Sequence, residues 1–317
     1  MKPPPMLSIA FTFDYDEACR HRDLGYEPIE CAYGQKQSVL GPLCMDHHGF
    51  ESHREGVALR ACRDHYGARR DDPRFVVTGT PDADAVLAIV ALAGLVPEAQ
   101  LTRVFYELVD RHDVDPIGLD LLTVPGGVEL AWFNQRPGTH NSVDGFRRAI
   151  DGMVELLSRT LTSEERARVV AAERSRRRKA LEGVSRIYEL DGRTARLPTE
   201  AEIAASPVRR GEDVKPRVLV VHGTVWGFDM WYRLAPVVVS FASRLEKVTV
   251  GCPDRVTAEA LFGPGGLQWV WPRLGADWGG RETIGGSPRG VKQRATDADD
   301  TARLVLEALQ ERLVKPS

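Results

Sequence analysis

The stretch FVVTGTPDADAVLAIVALAGL, residues 75–95, reads as three pieces in immediate succession. Phe75–Thr78 is aromatic and β-branched, the composition of a strand. A tight acidic loop carrying Asp82 and Asp84 follows. Ala83–Leu95 is a helix, apolar almost all round, which places it in a core rather than on a surface. Strand, acid-bearing turn and buried helix form the working unit of α/β folds, where ligands bind beyond the C-terminal ends of the strands. Working outward, LSIAFTF (residues 7–13) is a second strand, with Asp14-Tyr15-Asp16 at its C-terminal end. The run Val39–Met45, preceded by a short strand after a polar, turn-rich segment that reaches about Glu30, ends in Asp46-His47-His48-Gly49.

The remaining pattern divides the chain. Residues 53–66, 102–114 and 143–157 are amphipathic helices, and Thr162 or Ser163 caps a very polar helix with acids in its first turn. From Pro216 a second α/β unit begins. RVLVV (217–221), KVTV (247–250) and QWVWP (268–272) read as strands, with a helix between the first two. A glycine-rich loop follows at 279–290 and a closing helix at 297–313. The expected fold class is therefore α/β, with a parallel-sheet N-terminal domain (1–160), a helical linker (161–215) and a smaller C-terminal α/β domain (216–317).

Composition narrows the function. A chain of 317 residues with 27% charged residues and a net charge of −3 gives no electrostatic footprint for long duplex nucleic acid. Five cysteines without C-x-x-C spacing favour a reducing compartment, and no apolar run reaches membrane-spanning length, so the expected location is cytoplasmic with no membrane partner. Most of the eight histidines lie in the N-terminal third, among Asp14, Asp16, Asp46, Asp82, Asp84, Asp110 and Asp113. Carboxylate and imidazole without thiolate suit manganese, magnesium, iron or zinc in an open site. Asp82 also has a plainer reading, as the N-cap of the apolar helix. In the glycine-rich loop, Gly279, Gly280, Gly285 and Gly286 would let backbone N–H groups approach an anion. Ser287 and two arginines, Arg281 and Arg289, would complete the grip. Val220-Val221-His222-Gly223 has the look of an oxyanion strand, but no G-x-S-x-G elbow accompanies it.

Asp46-His47-His48 after an apolar run, with Pro81-Asp82-Ala83-Asp84-Ala85 before an apolar helix, resembles the DHH phosphoesterase superfamily. That superfamily includes RecJ-type exonucleases, oligoribonucleases and manganese-dependent pyrophosphatases. The resemblance implies an N-terminal domain holding two divalent ions, Mn2+ above all, and a C-terminal domain binding substrate through a glycine-rich loop that 279–290 matches loosely. It makes His47, Asp82 and Asp84 metal ligands, aided by Asp14, Asp16 and Asp113 or Asp110. Asp46 is a further candidate ligand and, with His48, would line the site as an orienting group or a substrate contact, with His47, His48 and Asp84 at the chemistry. The chain departs from the pattern in two ways. Its best D-x-D follows the Asp-His-His motif instead of preceding it, and its glycine loop lacks a histidine.

These readings converge on a metal-dependent phosphohydrolase of phosphodiesterase or pyrophosphatase type. It would use metal-activated water on a small phosphorylated substrate or short oligonucleotide. Two alternatives stay open: a metal-dependent enzyme for another small anionic metabolite, and a non-catalytic nucleotide-binding regulator. A homodimer is open as the assembly.

Overall fold

The computed structural model describes residues 6–48, 54–136, 140–190 and 196–314. The chain is mixed α/β and divides into two compact units, Met1–Tyr33 with Gln37–Glu173, and Gly34–Lys36 with Arg174–Ser317.

The first unit is built on β1 (Ser8–Phe11), α1 (Tyr15–Asp23), β2 (Glu27–Ile29), α2 (Val57–Asp64), β3 (Arg74–Val77) and α3 (Ala83–Ala93), followed by α4 (Arg103–Val114), α5 (Gly127–Asn134), α6 (Val143–Ser158) and most of α7 (Ser163–Glu182). Its three strands are all parallel in the order β1-β3-β2, so β3 is central, with Ile9 beside Phe75 and Pro28 beside Val76. All 11 residues of α3 are buried, as its uninterrupted apolar run predicts. Its alanines let α2, α4, α5 and α6 approach closely, while Val86, Leu87, Ile89, Val90 and Leu92 fill the core. Each such buried side chain contributes roughly 1.5–3 kcal/mol of transfer free energy. The helix is fixed at both ends: the Asp82 carboxylate accepts from Ala85 N at 3.0 Å, and Gly94 turns left-handed at φ 60.

The second unit contains β4 (Arg186–Glu189), α8 (Glu200–Ala205), β5 (Val218–Gly223), α9 (Phe228–Trp231), β6 (Val237–Ala242), β7 (Lys247–Gly251), α10 (Arg255–Phe262), α11 (Trp271–Leu274), β8 (Gly279–Gly280), β9 (Ile284–Gly286) and α12 (Ala295–Val314). Its 6-stranded sheet runs β4-β5-β6-β7-β9-β8; β5 and β6 are parallel and the other pairs antiparallel. Val218, Val220, Val237, Val239, Val248 and Val250 pack under Ala298, Ala302, Val305 and Leu309, which recur at helical spacing along α12.

Four expectations are corrected. QWVWP is no strand: left-handed Gly263, Gly265 and Gly266 break the chain before it, and Pro272 sits in the first turn of α11, where its missing N–H costs nothing. Between β5 and β7 the chain forms β6, with only the four-residue α9 before it. VVVSFA is a continuous apolar run, a pattern that does not separate a buried strand from a buried helix. The expected linker 161–215 supplies β4, whose Ile187 pairs with Val221, so that part of it belongs to the second sheet. Finally, the part of the glycine-rich segment from Gly279 to Gly286 is a two-strand hairpin at the sheet edge and not an open loop. Gly49 and His53 lie outside the described residues.

Candidate metal centre

Two C-terminal strand ends create the site. The chain leaves β2 at Glu30, which takes φ 52, and leaves β3 towards the loop that carries Asp82 and Asp84. Glu30 N donates to Met45 O at 2.8 Å, which draws the segment 44–48 alongside. Four side chains then converge. Ligand atoms of Glu30, His47, Asp84 and Asp113 all lie within 4.8 Å of one another, as do those of Glu30, His47 and His48. His47 Nε2 stands 2.8 Å from Glu30 Oε1 and 3.2 Å from Asp113 Oδ2. Donor atoms bonded at about 2.1 Å to a single octahedral ion lie about 3 Å apart, which matches those separations.

The electrostatics ask for a cation. Glu30 is only 6% exposed. Its Oε1, despite its closeness to His47, has no hydrogen-bond partner among the described residues. Burial, then the charges of Asp82 and Asp84, hold its carboxyl well above the usual range. Burial and Asp82 likewise raise Asp84, against the pull of His47 and of two backbone amides. Buried carboxylates stripped of water and pressed together are costly unless something positive joins them. The donor set, carboxylate and imidazole with no thiolate, fits a hard or borderline divalent ion.

The rest of the neighbourhood orients these groups. Asp84 Oδ2 and Oδ1 accept from Val57 N at 2.8 Å and Ala58 N at 2.9 Å, the first turn of α2. Asp46 Oδ1 faces His48 Nδ1 at 2.9 Å, and its Oδ2 accepts from Ser38 Oγ at 2.7 Å and His48 N at 3.0 Å. Burial alone would raise the Asp46 carboxyl; the charge and hydrogen bonds of His48, with the Ser38 hydroxyl, bring it down to about 2. The Nδ1 contact fixes the orientation of the His48 ring.

Of the expected ligands, the structure brings together His47, Asp84 and Asp113, with His48 in the overlapping group. Asp46 orients His48 instead of joining either group. Asp82 caps α3 and acts on Glu30 and Asp84 through its charge. Asp110 accepts from Gly56 N at 2.6 Å. Asp14 and Asp16 are corrections. Asp14 turns into α1, where it accepts from Glu17 N at 2.7 Å, and Asp16 lies in that helix's first turn; neither belongs to either group among the described residues. The candidate ligand missed from the sequence is Glu30. Its signal was an acid directly after a strand, the pattern that singled out Asp14, but β2 is three residues long and one of them is proline.

The substrate residues expected in the second unit also change meaning. Gly279 pairs with Gly286 and Gly280 with Gly285, while β9 pairs again with β7. A Cβ on Gly279 would lie 2.3 Å from Gly34 O, and one on Gly285 2.4 Å from Gly279 O. These glycines allow backbone to touch backbone. Ser287 bonds β7 through Val248, and Arg281 N donates to Ile284 O at 2.7 Å. One Arg289 guanidinium nitrogen, Nη1, is buried without a hydrogen-bond partner among the described residues. No helix among the described residues is long and apolar enough to cross a membrane. No family model matches the chain, and neither a curated protein nor a solved structure matches it significantly.

Proposed function

We propose that the chain is a divalent-metal-dependent hydrolase acting on a small phosphorylated substrate, of phosphodiesterase or pyrophosphatase type, in the manner of the DHH phosphoesterases it resembles. The observation that carries this reading is the convergence of Glu30, His47, Asp84 and Asp113, whose ligand atoms all lie within 4.8 Å of one another, the first three of them buried. When bound, the ion supplies Lewis-acid chemistry, polarising a phosphoryl oxygen and lowering the pKa of an attacking water. The chain's own residues do the rest. Glu30, His47, Asp84 and Asp113 hold the cation. Asp46 fixes the ring of His48 so that Nε2 can pass a proton to a leaving oxygen. Manganese fits the donors. Arg281 and Arg289 stay candidates for anion contacts through their guanidinium groups.

The test is metal titration and turnover of the full chain, wild type against Glu30→Gln, with manganese and with pyrophosphate and a bis-aryl phosphodiester as substrates. One to two equivalents of Mn2+ and metal-dependent phosphate or phenol release are expected for the wild type, and at least a hundredfold loss of both for the variant. Metal uptake without turnover on either substrate would move the reading to a non-phosphate anion. No uptake would remove the metal centre.

A further inference from the structure

We infer that α2, which contributes no ligand, sets the spacing of the metal centre, and that Arg60 is the positioning residue through which it does so; the inference rests on the metal-centre reading above. Arg60 is 4% exposed, so its guanidinium lies inside the unit instead of on the helix's wet face. Its Nη1 donates to Cys44 O and its Nη2 to Asp46 O, both at 2.9 Å. These carbonyls belong to the segment that ends in His47 and His48, and Cys44 takes φ 52 there, a left-handed backbone that cysteine adopts only when its surroundings hold it. One turn earlier on the same helix, Val57 and Ala58 hold both oxygens of Asp84.

A single rigid body therefore grips the two ligand-bearing segments, the His47 loop by a side chain and Asp84 by its first-turn amides. Backbone hydrogen bonds lock the helix, so the separation of His47 and Asp84 follows the helix's own dimensions. Arg is suited to the task where Lys is not, because one planar fork serves two carbonyls at once. Gly56 adds the second half of the argument. A Cβ there would stand 2.7 Å from Asp84 Oδ1 and 3.1 Å from Asp110 Oδ1, so only glycine lets the helix start this close to the carboxylate it holds. Groups that orient ligands without touching the ion commonly change metal affinity by about 10–100-fold when removed.

The experiment measures Mn2+ affinity by calorimetry on the full chain for wild type, Arg60→Met, Arg60→Lys, Gly56→Ala and the control Arg63→Met, together with the visible spectrum of each protein loaded with Co2+. Arg63 lies on the same helix but pairs with Glu55 and Asp64 at the surface. Arg60→Met is expected to lose about 10–100-fold in Mn2+ affinity with an altered Co2+ spectrum. Arg60→Lys should recover part of that loss, since it keeps the charge and one carbonyl contact. Gly56→Ala should weaken binding by about tenfold or more by displacing Asp84, and Arg63→Met should match the wild type. Should Arg60→Met fail to fold, Arg60→Lys and Gly56→Ala decide the matter. If both bind Mn2+ within about twofold of the wild type and leave the Co2+ spectrum unchanged, the role of α2 is overturned while the metal centre stands. A wild type that takes up neither ion overturns both.

Discussion

Two ionisable side chains are kept from water with opposite effects. Glu30 is buried with its Oε1 2.8 Å from His47 Nε2, and burial, then the charges of Asp82 and Asp84, hold its carboxyl well above the usual range. Lys247, at the start of β7, donates from Nζ to Pro288 O at 2.5 Å, yet burial and then the neighbouring charge of Arg289 bring its ammonium down to about 8. The sign of the consequence follows from proton counting. Between about pH 8 and 10.5 the unfolded chain still carries the Lys247 proton that the folded chain has released, so stability rises with pH through that window. Lys247→Met removes this contribution. In urea unfolding, the wild type should gain stability relative to the variant between pH 8 and 10, by on the order of 1 kcal/mol once solvent screening of a half-buried group is allowed for. A difference that stays flat across those pH values would put the ammonium in water.

At the scale of the element, α3 ties local rules to chemistry. Its cap, Asp82, sits two residues before the candidate ligand Asp84, so one turn both begins the helix and charges the candidate site. The two roles separate by substitution. Asp82→Asn keeps the cap and should leave the thermal midpoint nearly unchanged, whereas Asp82→Ala should cost about 1 kcal/mol. Circular dichroism melts of the metal-free proteins distinguish them, and equal melting of all three would show that the cap contributes nothing. This helix was legible because burial on every side leaves an uninterrupted apolar run, and β3 and β5 stood out in the same way, while the partly buried β1 and β7 were legible from their apolar and β-branched residues. His47 and Asp84 were legible as residue types after apolar runs, whereas Asp113, in the last turn of α4, entered only through the family resemblance as an alternative to Asp110. Glu30 was not, because a strand of three residues carries no periodicity. Asp14 was over-read for the reverse reason: an acid after a strand is equally the first residue of a capped helix, and here the helix has it. The role of Asp46 was open between ligand and orienter until the Ser38 and His48 contacts fixed it.

At the scale of the whole molecule, the two units have separate cores, one running from Ile9 to Val169 and the other from Val218 to Leu309. Every candidate ligand belongs to the first. Ligand binding stabilises only the unit that binds, by about 2.7 kcal/mol at a hundredfold excess over the dissociation constant. Scanning calorimetry with and without Mn2+ should therefore show two components, of which metal raises only one. A single transition that shifts as a whole would mean that the units unfold together. The hairpin β8–β9 has a consequence of another kind. Gly279 and Gly285 are places where one chain segment lies against another with no room for a methyl group. Once homologous sequences are aligned, those columns will stay glycine through steric exclusion alone, and a search profile weighted on them would retrieve proteins that share an edge hairpin without sharing a substrate.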